Sequence, residues 1–168
     1  MLITIKREKF DSLDDSALPW ACIEPVVQQI RGKSFNIKSQ VYTQLTDGQR
    51  ALLMFQVIYG HTRNGINEFF DHTSYFLSEQ GVWGQFRNGM KYFNEKEMLQ
   101  LIEEIERFYQ IVQDEKYQKP EFNCGNEPHF KNTIKQIDNK LKEIMPLSLR
   151  NIGAYIRKNS NEFIEIND

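Results

Sequence analysis

The strongest constraint in this chain is the run Ala51-Leu-Leu-Met-Phe-Gln-Val-Ile-Tyr59, which is apolar on nearly every side of a helix. A helix without a polar face has to be covered by neighbours all round, so it belongs at the centre of a domain. The preceding Thr46-Asp-Gly-Gln49 has the form of a capping box. There the Thr46 hydroxyl accepts from the Gln49 backbone N–H while the Gln49 side chain reaches back to the cap. A central helix is therefore predicted to start at this point.

Shorter segments around it carry a single apolar stripe each. Cys22, Ile23, Val26, Val27 and Ile30 recur at spacings of three and four between Leu18 and Ile30, with Pro25 expected to kink or restart the helix and Gly32 to stop it. A short helix is expected from about Ile37 to Leu45. Gly60 and the Asn64-Gly65 pair interrupt the central helix, because both residue types tolerate the left-handed backbone of a helix exit. Phe69, Phe70, Thr73, Phe76 and Leu77 share one side of Ile66–Leu77, and Trp83, Phe86, Met90 and Phe93 repeat in the same way, as a short helix expected to dock its aromatic face onto the core. Met98, Leu101, Ile102, Ile105, Phe108, Tyr109 and Val112 form an unbroken stripe, on a helix capped by Asn94 or the loop before it. Gln118–Pro128 reads as a loop. Ile134, Ile137, Leu141 and Ile144 form a further stripe; Pro146 is expected to stop that helix or open another containing Leu149, Ile152, Tyr155 and Ile156. The β-prone Leu2–Ile5 and the polar Asp11–Ser16 read as an extended tail, and the chain is expected to close helically.

The expected architecture is all-α: a single-domain orthogonal bundle of about seven to eight helices with a short extended N-terminal segment. One domain covers residues 1–168, with 1–15 as the tail and C-terminal helices within 128–160. A length of 168 residues suits one core. The 40% apolar and 26% charged fractions exclude a disordered or fibrous chain. A net charge of -2 argues against direct nucleic-acid binding, which leaves a clustered Lys/Arg excess. Cys22 and Cys124 lie far apart, outside the spacing of a disulfide framework or zinc ribbon. With no signal-peptide pattern and no apolar run of roughly 18–20 residues, a soluble cytoplasmic protein that neither enters nor binds a membrane is expected.

No catalytic, metal or cofactor signature is evident. His61, His72 and His129 lack the H-E-x-x-H spacing, and Glu68 one turn before His72 reads equally as a surface ion pair. There is no nucleophile elbow, and neither Asn64-Gly-Ile nor Arg87-Asn-Gly-Met has the spacing of a phosphate loop. Three candidate surfaces remain. From Glu95 to Lys116 seven carboxylates face three cations; Glu95, Glu97, Glu103, Glu104 and Glu106 would offer a basic protein a complementary face, or else form the ordinary solvated side of the helix. Arg63, Asn64, Gly65, Asn67, Glu68 and His72 surround the Asn64-Gly65 turn, as a groove for a peptide or small molecule. With His61 and Asp71 they would make an enzyme or ligand site if they converge. Structurally, the same turn would only serve the helix exit, with Asn64 bonding orphaned helix ends. A scaffold or immunity-type protein would instead use an exposed aromatic patch around Trp83 and Phe86.

Leu45-Thr-Asp-Gly-Gln-Arg50 leading into the apolar helix, followed by Asn64-Gly-Ile-Asn-Glu-Phe-Phe70, resembles the bacterial DNA-mimic protein family. In that family a helix ends in an Asn-Gly-Gly turn and an aromatic-rich helix follows; here Asn64 and Gly65 match, while Ile66 replaces the second glycine. The likeness runs over about residues 20–112, and more loosely through Pro146-Leu-Ser-Leu, Tyr155-Ile-Arg and Glu162-Phe163. It implies an all-helical domain that dimerises and whose carboxylates imitate DNA phosphates to occupy a basic regulator, toxin or DNA-binding protein. At a net charge of -2, a localised acidic patch would have to supply the mimicry.

Overall fold

The computed structural model describes residues 2–119, 121 and 123–167. Among these, strand β1 (Ile3–Lys6) leads into helices α1 (Arg7–Ser12), α2 (Leu18–Ile30), α3 (Phe35–Thr43), α4 (Asp47–His61), α5 (Ile66–Leu77), α6 (Val82–Tyr92), α7 (Lys96–Gln118) and α8 (Lys131–Lys158), and strand β2 (Ile164–Asn167) closes the chain. The predicted helical bundle is what the chain forms. Helix α4 packs on α2, α5 and α6, while α6, α7 and α8 follow one another round to meet α2 again. Its all-round apolar sequence thus has neighbours to cover it, and Leu52, Phe55 and Ile58 are almost wholly out of solvent.

The capping box at Thr46 forms, and its polar atoms have a second use. The Thr46 hydroxyl accepts from the Gln49 N–H at 3.1 Å and donates to the Glu162 carbonyl at 2.6 Å. The Gln49 amide accepts from the Thr46 N–H at 3.2 Å and donates to the Phe163 carbonyl at 2.9 Å. One helix start therefore also anchors the C-terminal segment, and Phe163 is fully buried there.

Four local expectations need correction. Apart from Met1, which lies outside the described residues, the N-terminal segment is not an extended tail: β1 pairs in parallel with β2, Ile3 opposite Ile164, and α1 buries Phe10. The chain consequently closes on a strand. Pro146 lies inside α8 without stopping it or opening another helix, and α2 runs through Pro25 without a restart, which leaves the expected kink as the form open to it. An internal proline costs about 3 kcal/mol, but Leu141, Met145, Ile152 and Ile156 bury on both sides of Pro146, and each such side chain contributes about 1.5–3 kcal/mol. Asn94 does not cap α7; it takes a left-handed turn at φ 58°, and Glu95 stands at the cap position.

Candidate functional site

A cavity of about 840 Å³ opens between α2, α3, α4 and α5, within the roughly 300–1,000 Å³ range of ligand pockets. Helical spacing makes its walls. Trp20, Val27, Ile30 and Arg31 line it from α2, Phe35, Lys38, Ser39 and Tyr42 from α3, and Leu53, Gln56, Val57 and Gly60 from α4. The α2 and α3 sets recur at three, four or seven residues, so these helices each turn one face to the space, with Arg31 just past the end of α2, while Met54, Tyr59 and His61 widen the face that α4 presents. Thr73 and Phe76, one turn apart on α5, complete the wall. Leu53, Met54, Gln56 and Thr73 are buried and form its floor. At the rim Trp20 is 39% exposed and Tyr75 56%.

Charge in this cavity has one sign. Arg31, Lys38 and Arg63 line it, and among the described residues no Asp or Glu does. Lys38 Nζ donates to the Tyr75 hydroxyl at 2.7 Å, and the Arg63 guanidinium lies 5.7 Å from the centre of the Tyr59 ring. Among the described residues none of the three cations is paired with a carboxylate. Low-dielectric walls focus such a field, because apolar side chains screen less than water. His61 also opens on the cavity, with its pKa held below the usual histidine value by burial first and His72 second, Glu68 pulling the other way and Lys38 adding the smallest lowering effect. The imidazole is accordingly neutral at neutral pH and serves as a hydrogen-bonding group.

Helix α4 is terminated by a turn that keeps Arg63 beside this wall. Gly65 adopts φ 107°, a backbone region open mainly to glycine, and a Cβ there would lie 3.0 Å from the Asp138 carboxylate. That carboxylate accepts from the Ile66 N–H at 2.8 Å. The first turn of α5 is thus capped from α8 rather than by a neighbour in sequence. Asn64, expected to bond the orphaned helix ends, is exposed and makes no side-chain hydrogen bond among the described residues.

No model of a known protein family, no curated protein and no solved structure matches this chain.

Of the residues expected around the turn, only Arg63 and His61 reach the cavity. Asn67 accepts from the Cys124 thiol at 3.3 Å, and Glu68 pairs with His72 at 3.6 Å outside the cavity wall. The His61 and His72 rings are 5.9 Å apart, while Asp71 is exposed. Asn64, Gly65, Asn67, Glu68 and His72 do not line this cavity. Among the described residues no three His, Cys, Asp or Glu side chains gather as a metal-binding set. Burial pushes the Cys22 thiol up to about 12 and raises that of Cys124, so neither is a thiolate at neutral pH.

The five carboxylates of the acidic segment do not share one open face. Glu104 pairs with Lys140 of α8 at 2.6 Å, Glu106 pairs with Arg87 of α6, and Glu95 accepts from the Ser148 hydroxyl at 2.6 Å. Only Glu97 and Glu103 are left without such partners among the described residues. The aromatic patch expected around Trp83 and Phe86 is not exposed: Trp83 is 7% accessible and Phe86 fully buried, against Tyr109 and Phe69. Their three-and-four spacing fits a core stripe as well as a surface one, and burial between α6 and α7 decides for the core. The cavity had a sequence signal of its own. From Pro25 to Thr46 there is no Asp or Glu, and Arg31, Lys33 and Lys38 alternate with apolar and aromatic residues.

Proposed function

We propose that this domain binds a small amphipathic anion, a molecule with an apolar body and a carboxylate or similar headgroup. The observation that carries this reading is the sign of the cavity: three cations and no acid on apolar walls, in a chain whose net charge is -2. Apolar walls supply affinity through burial, and the cations at their edge, which pair with no carboxylate among the described residues, select the charge of the head. A DNA-mimic role would draw on carboxylates such as Glu104 and Glu106 that are already engaged within the chain, and so finds less support.

Titration calorimetry with decanoate, decanol and decyltrimethylammonium tests the reading, because the three share an apolar chain and differ in head charge. Trp20 fluorescence at the rim reports occupancy independently. Decanoate is expected to bind most tightly and the cation least. Lys38→Gln and Arg63→Gln should each weaken decanoate about threefold to tenfold while leaving decanol unchanged, as expected for loss of a partly exposed charge contact. Equal binding of all three heads, or no binding, would remove the proposal.

A further inference from the structure

We infer that Gln56 is the specificity residue of this cavity, and that the natural ligand carries a hydrogen-bond donor on its apolar body as well as an anionic head. This rests on the ligand-binding reading above and deepens it. Gln56 is 8% exposed and stands on the cavity floor, yet no protein group bonds its side-chain oxygen among the described residues. The Gln49 amide holds the Phe163 carbonyl, and the Thr62 and Thr73 hydroxyls donate to the Ile58 and Phe69 carbonyls, while Trp83 Nε1, the other buried polar atom without a partner among the described residues, lies outside the cavity lining. Buried amide oxygens are nearly always hydrogen-bonded, so an orphan on the floor of a pocket marks where a ligand group completes the set.

Gly60 is a second and independent observation. It lies one turn after Gln56 on the same face of α4, and a Cβ built there meets no atom within 4 Å. Glycine within a helix is disfavoured relative to alanine, so its place here is explained if something passes over the bare backbone. The path it leaves runs from Gln56 over Gly60, four residues on or roughly 6 Å at helical rise, and on to Arg63 in the turn that follows α4. A ligand lying along it places its donor on the Gln56 oxygen and its negative head beside the Arg63 and Lys38 cations. A hydroxylated medium-chain carboxylate has this chemistry. An unsubstituted one leaves the amide oxygen orphaned.

The test compares ω-hydroxydecanoate with decanoate by titration calorimetry on the full chain, in wild type and in Gln56→Leu. A hydroxyl entering an apolar pocket without a partner weakens binding, so its effect has opposite signs in the two cases. Wild type is expected to bind the hydroxy acid about tenfold more tightly than decanoate, and Gln56→Leu to reverse that order. The wild-type comparison stands even if the variant does not fold. Decanoate binding as tightly as its hydroxy form to wild type overturns the role of Gln56 and leaves the cavity reading intact. Failure of both acids to bind overturns the two together.

Discussion

Replacing Gly153 by alanine tests how the wall of the cavity is held in place. Gly153 is buried in α8, where an added Cβ would come within 1.7 Å of the Asp15 carbonyl oxygen and 2.5 Å of its carbon. Ordinary contact distance is about 3.5 Å, so helix and loop must separate by roughly 1.5–2 Å. Both contacts are backbone, and no side-chain rotation relieves them. The same separation loosens the Arg157 guanidinium, which donates to the Asp15 carboxylate at 2.8 Å and to the Leu13 carbonyl at 2.6 Å. Overpacking costs about 1–3 kcal/mol and weakened charge-assisted hydrogen bonds about another 1–2, against up to ~1 gained from the helix preference of alanine. The expected net loss is about 2–4 kcal/mol, a fall of roughly 5–15 °C in Tm for a domain of this size. Because Ser16 lines the cavity directly after this loop, decanoate affinity should fall as well. Gly60→Ala is the matched control: it makes the same chemical change where nothing lies within 4 Å, and should stabilise by about 0.5–1 kcal/mol. Thermal and urea unfolding of the two variants measures both values. Gly153→Ala proving as harmless as Gly60→Ala would refute the close-approach reasoning.

Two further outcomes follow from the same contacts. Thr46→Ala removes a helix cap and a bond to the Glu162 carbonyl at once, so urea unfolding should show a loss of about 2 kcal/mol, and Thr46→Ser should recover most of it. His61 has a lowered pKa in the fold, chiefly through burial, while the unfolded chain protonates near 6.5. Its neutral form thus contributes stability that is complete above about pH 6.5 and is lost as pH falls toward the folded-state pKa. Unfolding midpoints followed across that window should decline less in His61→Gln than in wild type, and parallel curves would sink the assignment.

Periodicity exposed most of the helices because it is a local property. The stripe from Met98 to Val112, the capping box at Thr46 and the bounds of Ile66–Leu77 can be read from residues within a few turns of one another. Pattern also showed that α4 is central, since only a surrounded helix can be apolar on every side. Pro146 misled for the converse reason: a proline's cost is local, and the burial that outweighs it is not.

The sequence alone determined a predominantly helical chain, the location of its core helix and the acid-free stretch from Pro25 to Thr46. Tertiary structure decided the remainder. β1 needs a partner strand some 160 residues away, Ile66 is capped by Asp138, and Glu104 and Glu106 lose their freedom to Lys140 and Arg87. The cavity likewise exists only where single faces of α2, α3, α4 and α5 come together. Helical spacing tells which side chains share a face, but a face becomes core, surface or binding site according to what the fold brings opposite it.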